Sequence, residues 1–195
     1  MRFLVRLANK TEASPNQRKQ LTSIAYEAVR NLGADIGNLR VSKYAVELDL
    51  LLDAETALKD SLKVLGAEIG PVLTFRKLDV VGPPMEKNAA IKKGLELFNE
   101  ERYWESHEAL EYAWRDSAGE EKEFLQGLIL VAAALVHWQK NEKEVTLSVM
   151  RRALDKIAAI SGEYSNVDIA TLRNRVSHIL AAGQPEFLRI ELKHL

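Results

Sequence analysis

Hydrophobic and polar residues alternate along the first part of the chain, then recur at three- and four-residue spacing towards its end. Phe3, Val5 and Leu7 alternate with Arg2, Leu4 and Arg6, the period of a strand with one better-buried face. Ser14-Pro15 supplies a helix start, a capping hydroxyl followed by proline at the first position. Leu21, Ile24, Ala25, Ala28, Val29 and Leu32 follow at helical spacing until Gly33. Residues 39–42 predict a short strand. Tyr44, Val46, Leu48, Leu50 and Leu52 alternate strictly, with Glu47 and Asp49 on the opposite face. A second helix is predicted over 54–65, stopped by Gly66, and a last strand over 71–80 with Leu73 and Phe75 on one side.

Strand, helix, strand, strand, helix, strand is the order of a ferredoxin-like split βαβ domain, expected here over residues 1–81. The first and third strands are neighbours in that arrangement, so Arg2 and Arg6 are expected to face Glu47 and Asp49 across the open sheet. Such a sheet binds single-stranded RNA through stacked aromatics. Here its open face is charge-balanced and the third strand contributes acids, so a structural or dimerising domain is preferred, with a homo-oligomer as the expected assembly. Gly82-Pro83-Pro84 is the expected boundary, because proline continues a strand only at an edge.

Residues 85–195 read as an antiparallel all-α bundle of about five helices, which makes the chain α+β. Helices are predicted over 86–99, 103–115, 120–140, 145–160 and 168–180, with stops at Ser117-Ala118-Gly119, Gly162 and Gly183. Between Phe124 and Trp138 the third of these is apolar on nearly every face, the mark of a buried central helix. The tail over 187–192 alternates Leu188, Ile190 and Leu192 and predicts an added edge strand. Folding the chain about residues 117–119 brings Glu108 opposite Gly127, and folding about 99–102 brings it opposite Gly94. Glycine costs about 1 kcal/mol of helix propensity relative to alanine, and in return lets backbones approach. Glu108 is therefore expected in a crowded, buried place within reach of Gln126, where hydrogen bonds must satisfy its carboxylate.

Composition narrows the function. A net charge of −1 gives no general attraction to nucleic acid or anionic lipid. The absence of cysteine excludes disulfides, thiolate metal ligands and cysteine nucleophiles. The start, MRFLVRLANK, has no long apolar core of a signal peptide, and the run 124–138 is too short to span a bilayer. A soluble cytoplasmic protein with no membrane partner is expected.

Candidate chemistry gathers on the second bundle helix. His107 and Glu111 lie four apart and Glu108 and Glu111 three apart, so each pair shares a helix face. With Glu105, Gln126 and His137 they make a candidate polar cluster, in which His107, Glu108 and Glu111 are the candidate ligands of a divalent metal. A zinc peptidase needs a second histidine where Glu111 stands. A carboxylate-bridged di-iron bundle needs Glu-x-x-His on each of two helices, and none is present. The preferred reading makes Glu108 and Glu111 buried clamps that accept from Gln126, an indole N–H or Tyr103, and His107 a partly exposed packing residue. His137 is expected near Phe98, about two turns from Glu108, with Glu101 or Glu105 as partners within reach. A small-molecule pocket walled by Tyr103, Trp104, Trp114 and Trp138 is the other candidate site. Arg151-Arg152 reads as a solvated face.

Over about residues 87–154 the chain also resembles the all-helical family known as domain of unknown function 309. The resemblance rests on Phe98-Asn99, on Tyr103, Trp104, Glu105, His107, Glu108, Glu111 and Trp114, and on Leu125-Gln126-Gly127-Leu128 followed by His137. It implies a small antiparallel helical bundle and brings no activity with it. Arg102 stands where the family has a glycine, and Lys140-Asn141 where it has Gly-Asn. Two function classes follow: a non-catalytic ligand- or partner-binding helical scaffold, and a metal-dependent hydrolase with metal-bound water as nucleophile. The first is preferred, because the histidine spacing fails both metal templates.

Overall fold

A computed structural model describes residues 1–78, 85–161 and 164–192. These fall into two compact units, 1–78 with Gln139–Asn141, and 85–138 with the described residues from 142 onward. The expected boundary at 82–84 and the helix stop at Gly162 lie outside the described residues.

The first unit is a four-stranded antiparallel sheet with two α-helices. Strand β1 (Arg2–Ala8) leads through a turn at Pro15–Gln17, where the Ser14 N–H is capped by the Gln17 side chain, into α1 (Arg18–Val29). Gly33, at φ 68°, takes the left-handed conformation that glycine adopts without a Cβ penalty and turns the chain into β2 (Ala34–Val41). That strand is longer than the short one predicted. β3 (Ala45–Leu52), α2 (Leu58–Glu68) and β4 (Val72–Lys77) complete the unit. Gly66 lies inside α2, because Val64, Leu65 and Ile69 carry the apolar pattern through it. The sheet order is β2-β3-β1-β4.

Phe3, Val5 and Leu7 of β1 join Leu48, Leu50 and Leu52 of β3 in a core with Leu21, Ala25, Val29 and Leu65 of the two helices. On the other face Arg6 stands directly opposite Glu47, its Nε 3.4 Å from Oε1. Arg2 reaches diagonally to Asp49 at 2.6 Å, as the pairing of β1 with β3 leads one to expect. A register shift between Gly37 and Arg40, with Asn38 at φ 43°, goes with two more partners: Asn38 Nδ2 donates to Asp49 at 2.7 Å, and the buried Arg40 lies 3.5 Å from Glu47 and 3.4 Å from Asp49. Leu73 and Phe75 of the edge strand β4 are both about half exposed.

The second unit is helical: α3 (Lys87–Asn99), α4 (Tyr103–Arg115), α5 (Gly119–Gln139), α6 (Lys143–Ala158) and α7 (Ile169–Ala182). Glu86, expected as the first residue of α3, is its cap and accepts from Ala89 N–H. Where the family has a glycine before the tyrosine, Arg102 keeps a negative φ and Glu101 takes the left-handed conformation at φ 61°. Asn141 does the same after α5 at φ 59°. The core is one cluster running from Ala90 and Ile91 through Phe98, Leu110, Leu125, Leu128 and Leu135 to Met150, Ile157 and Val176. Among the described residues no helix is long and apolar enough to cross a membrane.

Candidate functional site

The close contacts expected around Glu108 exist, but other side chains make them. A Cβ at Gly94 would lie 2.6 Å from Leu110 Cγ, and Ser106 Oγ donates to Gly94 C=O at 2.8 Å. A Cβ at Gly127 would lie 2.8 Å from Ile157 Cγ1, so that glycine seats α6 rather than α4. Glu108 itself is exposed. Leu110 is two residues further along α4, about 200° around the helix, and takes the inward place. The buried acid of α4 is Glu105, which accepts from Arg102 Nε at 2.7 Å and Nη2 at 2.9 Å. That bidentate pairing holds the guanidinium well above its ordinary pKa, against the opposing effect of burial.

Of the other members of the expected cluster, His107 and Glu111 stay neighbours on α4. Glu111 pairs with Arg115 at 3.5 Å on the helix surface. His107 is half-buried, and burial lowers its pKa while Glu111 partly offsets the effect. Gln126 is half-buried on α5. His137 pairs with neither Glu101 nor Glu105: its Nδ1 stands 2.5 Å from Glu142 Oε2, across the turn that ends α5. Among the described residues no three His, Cys, Asp or Glu side chains come together as a metal site.

The aromatic side chains expected to wall a pocket pack against the helical core. Trp104, Trp114 and Trp138 are half-buried against the core, and Lys122 Nζ lies 4.3 Å from the Trp114 ring centroid. Tyr103 is fully buried, edge-on to Phe98 at 4.9 Å and stacked on Phe187 at 6.4 Å. Its hydroxyl donates to Leu188 C=O at 3.3 Å, and burial raises its pKa.

That contact points to what the turn between α3 and α4 does: it holds the C-terminal tail. Asn99 Nδ2 donates to Ile190 C=O at 3.0 Å, and Ile190 N–H donates to Asn99 Oδ1 at 2.8 Å. Leu188 and Ile190 are buried at 2% exposure each. Leu192 bridges Val167, and Asp168 N–H donates to Glu191 C=O at 2.9 Å. The alternation of the tail is legible in the sequence; its partners are α3, α4 and the start of α7, within the helical unit.

Beside the tail lies a groove of about 470 Å³. One wall is a single face of α3, where Asn88, Ile91, Lys92, Leu95, Glu96 and Asn99 recur at three- and four-residue spacing. The opposite wall is Leu192 with Ser165 and Asn166, at φ 52° and 56°. Glu120 at the start of α5 anchors that wall, accepting from the Tyr164 hydroxyl at 3.0 Å and from Ser161 Oγ at 3.0 Å. Ile91 and Leu95 make a buried apolar floor under an amide and charged rim. The helical periodicity at Asn88, Lys92, Glu96 and Asn99 is readable in the sequence; the facing wall, remote in the chain, is not.

The helical segment is matched over residues 91–149 by the model of the family Domain of unknown function (DUF309); the N-terminal part has no family match. A conserved hypothetical protein from Thermus thermophilus, known from a crystal structure, is 31% identical over 46% of this chain and 94% of its own length, with a TM-score of 0.41. None of the curated proteins matches the chain.

Proposed function

We propose that the protein is a non-catalytic binding scaffold whose helical unit takes a small molecule or partner segment in the groove along α3. The observation that carries this reading is the groove itself: an apolar floor of Ile91 and Leu95 with amide and charged groups converging on its rim. The engagement of Glu111 by Arg115 and the exposure of Glu108 support the scaffold over the metal-dependent hydrolase. In the same reading the first unit is a ferredoxin-like split βαβ domain that serves association of copies. The sheet order β2-β3-β1-β4 and the exposed apolar side chains of β4 support that. Single-stranded RNA is disfavoured as a partner, because on the face of β1 and β3 away from the two helices Leu4, Glu47 and Asp49 are buried, and Arg2 and Arg6 stand there in place of aromatics.

The test is a fragment set of small amides and short peptides, read by saturation-transfer NMR on the full chain. Binders should lose their signal with Ile91→Glu or Leu95→Glu, each of which puts a carboxylate on the apolar floor. Binders that are indifferent to both substitutions would move the function elsewhere.

A further inference from the structure

We infer that the turn between α3 and α4 is a receptor for an extended peptide with apolar residues at alternate positions, and that the tail is a resident occupant such a peptide of a partner protein displaces. This rests on the binding-scaffold reading and gives its partner a chemistry. Four observations carry it.

Asn99 grips the tail through the backbone of Ile190, using both ends of its amide on one residue. A grip on main chain accepts any sequence in extended form, and pockets for alternate side chains then select among sequences. Leu188 and Ile190 are alternate apolar side chains buried in the helical core, and Phe187 stacks on Tyr103.

The tail also belongs to no sheet. Its strand-like contacts among the described residues are one bridge, Val167 to Leu192, and one hydrogen bond, Asp168 N–H to Glu191 C=O. Releasing it breaks no ladder.

A short non-helical connector precedes it, with Pro185 buried and Glu186 Oε1 3.6 Å from Arg175 Nη2 of α7. Gly183 caps α7 in the left-handed conformation at φ 60°, and residues 184–186, including Pro185, have no regular structure. The tail can leave without unwinding α7.

Finally, the seat opens into the groove. Asn99 belongs to both, and the α3 wall runs from Asn99 back to Asn88, about 16 Å at 1.5 Å per residue. That length matches about five residues of extended chain. A partner segment that fills the seat and also lays an apolar residue on Ile91 and Leu95 gains contacts there. Displacement of a resident segment requires such a difference in affinity.

The probe is a fluorescein-labelled peptide with the sequence of residues 185–192, and the readout is fluorescence anisotropy with the full chain. The wild-type chain should bind it weakly, because its own tail competes from a tethered position. Ile190→Asp weakens that competitor and should bind the probe about tenfold more tightly or better. Ile190→Ala serves the same purpose if the aspartate variant does not fold, as judged by its circular dichroism melt. Asn99→Ala added to either variant should undo the gain, and a probe of scrambled order should not bind. Equal binding by wild type and the tail variants, or binding indifferent to Asn99→Ala, overturns the inference. Fragments that still bind at Lys92 and Glu96 while the peptide fails would overturn it too, and would leave the scaffold reading standing.

Discussion

Asn99 and Ile190, 91 residues apart in the chain, exchange two hydrogen bonds: the asparagine amide donates to the isoleucine carbonyl and its oxygen accepts from the isoleucine N–H. Asn99→Ala strands both backbone groups of Ile190, a loss of about 1–3 kcal/mol for groups held away from water. Urea denaturation should show that loss with little change in slope. Tyr103→Phe removes a longer hydrogen bond, 3.3 Å to Leu188, and should cost about 0.5–1 kcal/mol.

Gly94 and Gly127 are packing positions. Gly94→Ala drives a methyl into Leu110, and Gly127→Ala drives one into Ile157. Each should destabilise by about 1–3 kcal/mol although alanine is the better helix former. Gly94→Ala combined with Leu110→Ala should cost less than the sum of the two single changes, which a double-mutant cycle of denaturant midpoints would read out.

The two acids of α4 separate cleanly. Glu105→Gln breaks the charged pairing with Arg102 at a buried carboxylate, and its melting temperature should fall measurably. Glu108→Gln changes an exposed residue and should stay within about 0.5 kcal/mol of wild type. Equal losses in the two variants would restore the buried role expected for Glu108.

The contrast shows what the sequence carries and what it loses. Alternation in β1 and β3 is enough to bring Arg6 opposite Glu47, because a strand has two faces and the charges mark one of them. The bounds of α4 are likewise legible from the apolar spacing and the turns on either side. Folding a helical hairpin about its turn, however, fixes register only to within a residue or two. On a helix each residue turns the face by about 100°, so that error exchanges Glu108 for Leu110 at Gly94. The same hairpin register points His137 at Glu101 or Glu105, whereas its partner Glu142 is five residues away in the chain. The groove is hidden for a different reason: Ser165, Asn166 and Leu192 carry no periodic signal that ties them to α3.

His107 gives a pH signature. Burial lowers its pKa, so the folded chain holds the neutral ring while the unfolded chain takes up a proton near pH 6.5. The stability this contributes is complete above the unfolded value and is lost as pH falls through the lower, folded one. Melting temperature should therefore drop more steeply between about pH 7 and 5 for wild type than for His107→Gln. Parallel curves would show that the ring does not titrate differently on unfolding.

In the proposed function, binding belongs to the tail-lined groove and not to the acidic face of α4. A residue-resolved amide NMR map of the labelled full chain tests it directly, with the fragment set added to one sample and zinc to another. Shifts are expected at Lys92, Leu95, Glu96, Asn99 and Asn166 with the fragments, and no saturable shift at His107 and Glu111 with zinc. Stoichiometric zinc shifts at His107 and Glu111, with the groove amides unmoved by every fragment, would contradict it and return the hydrolase to first place.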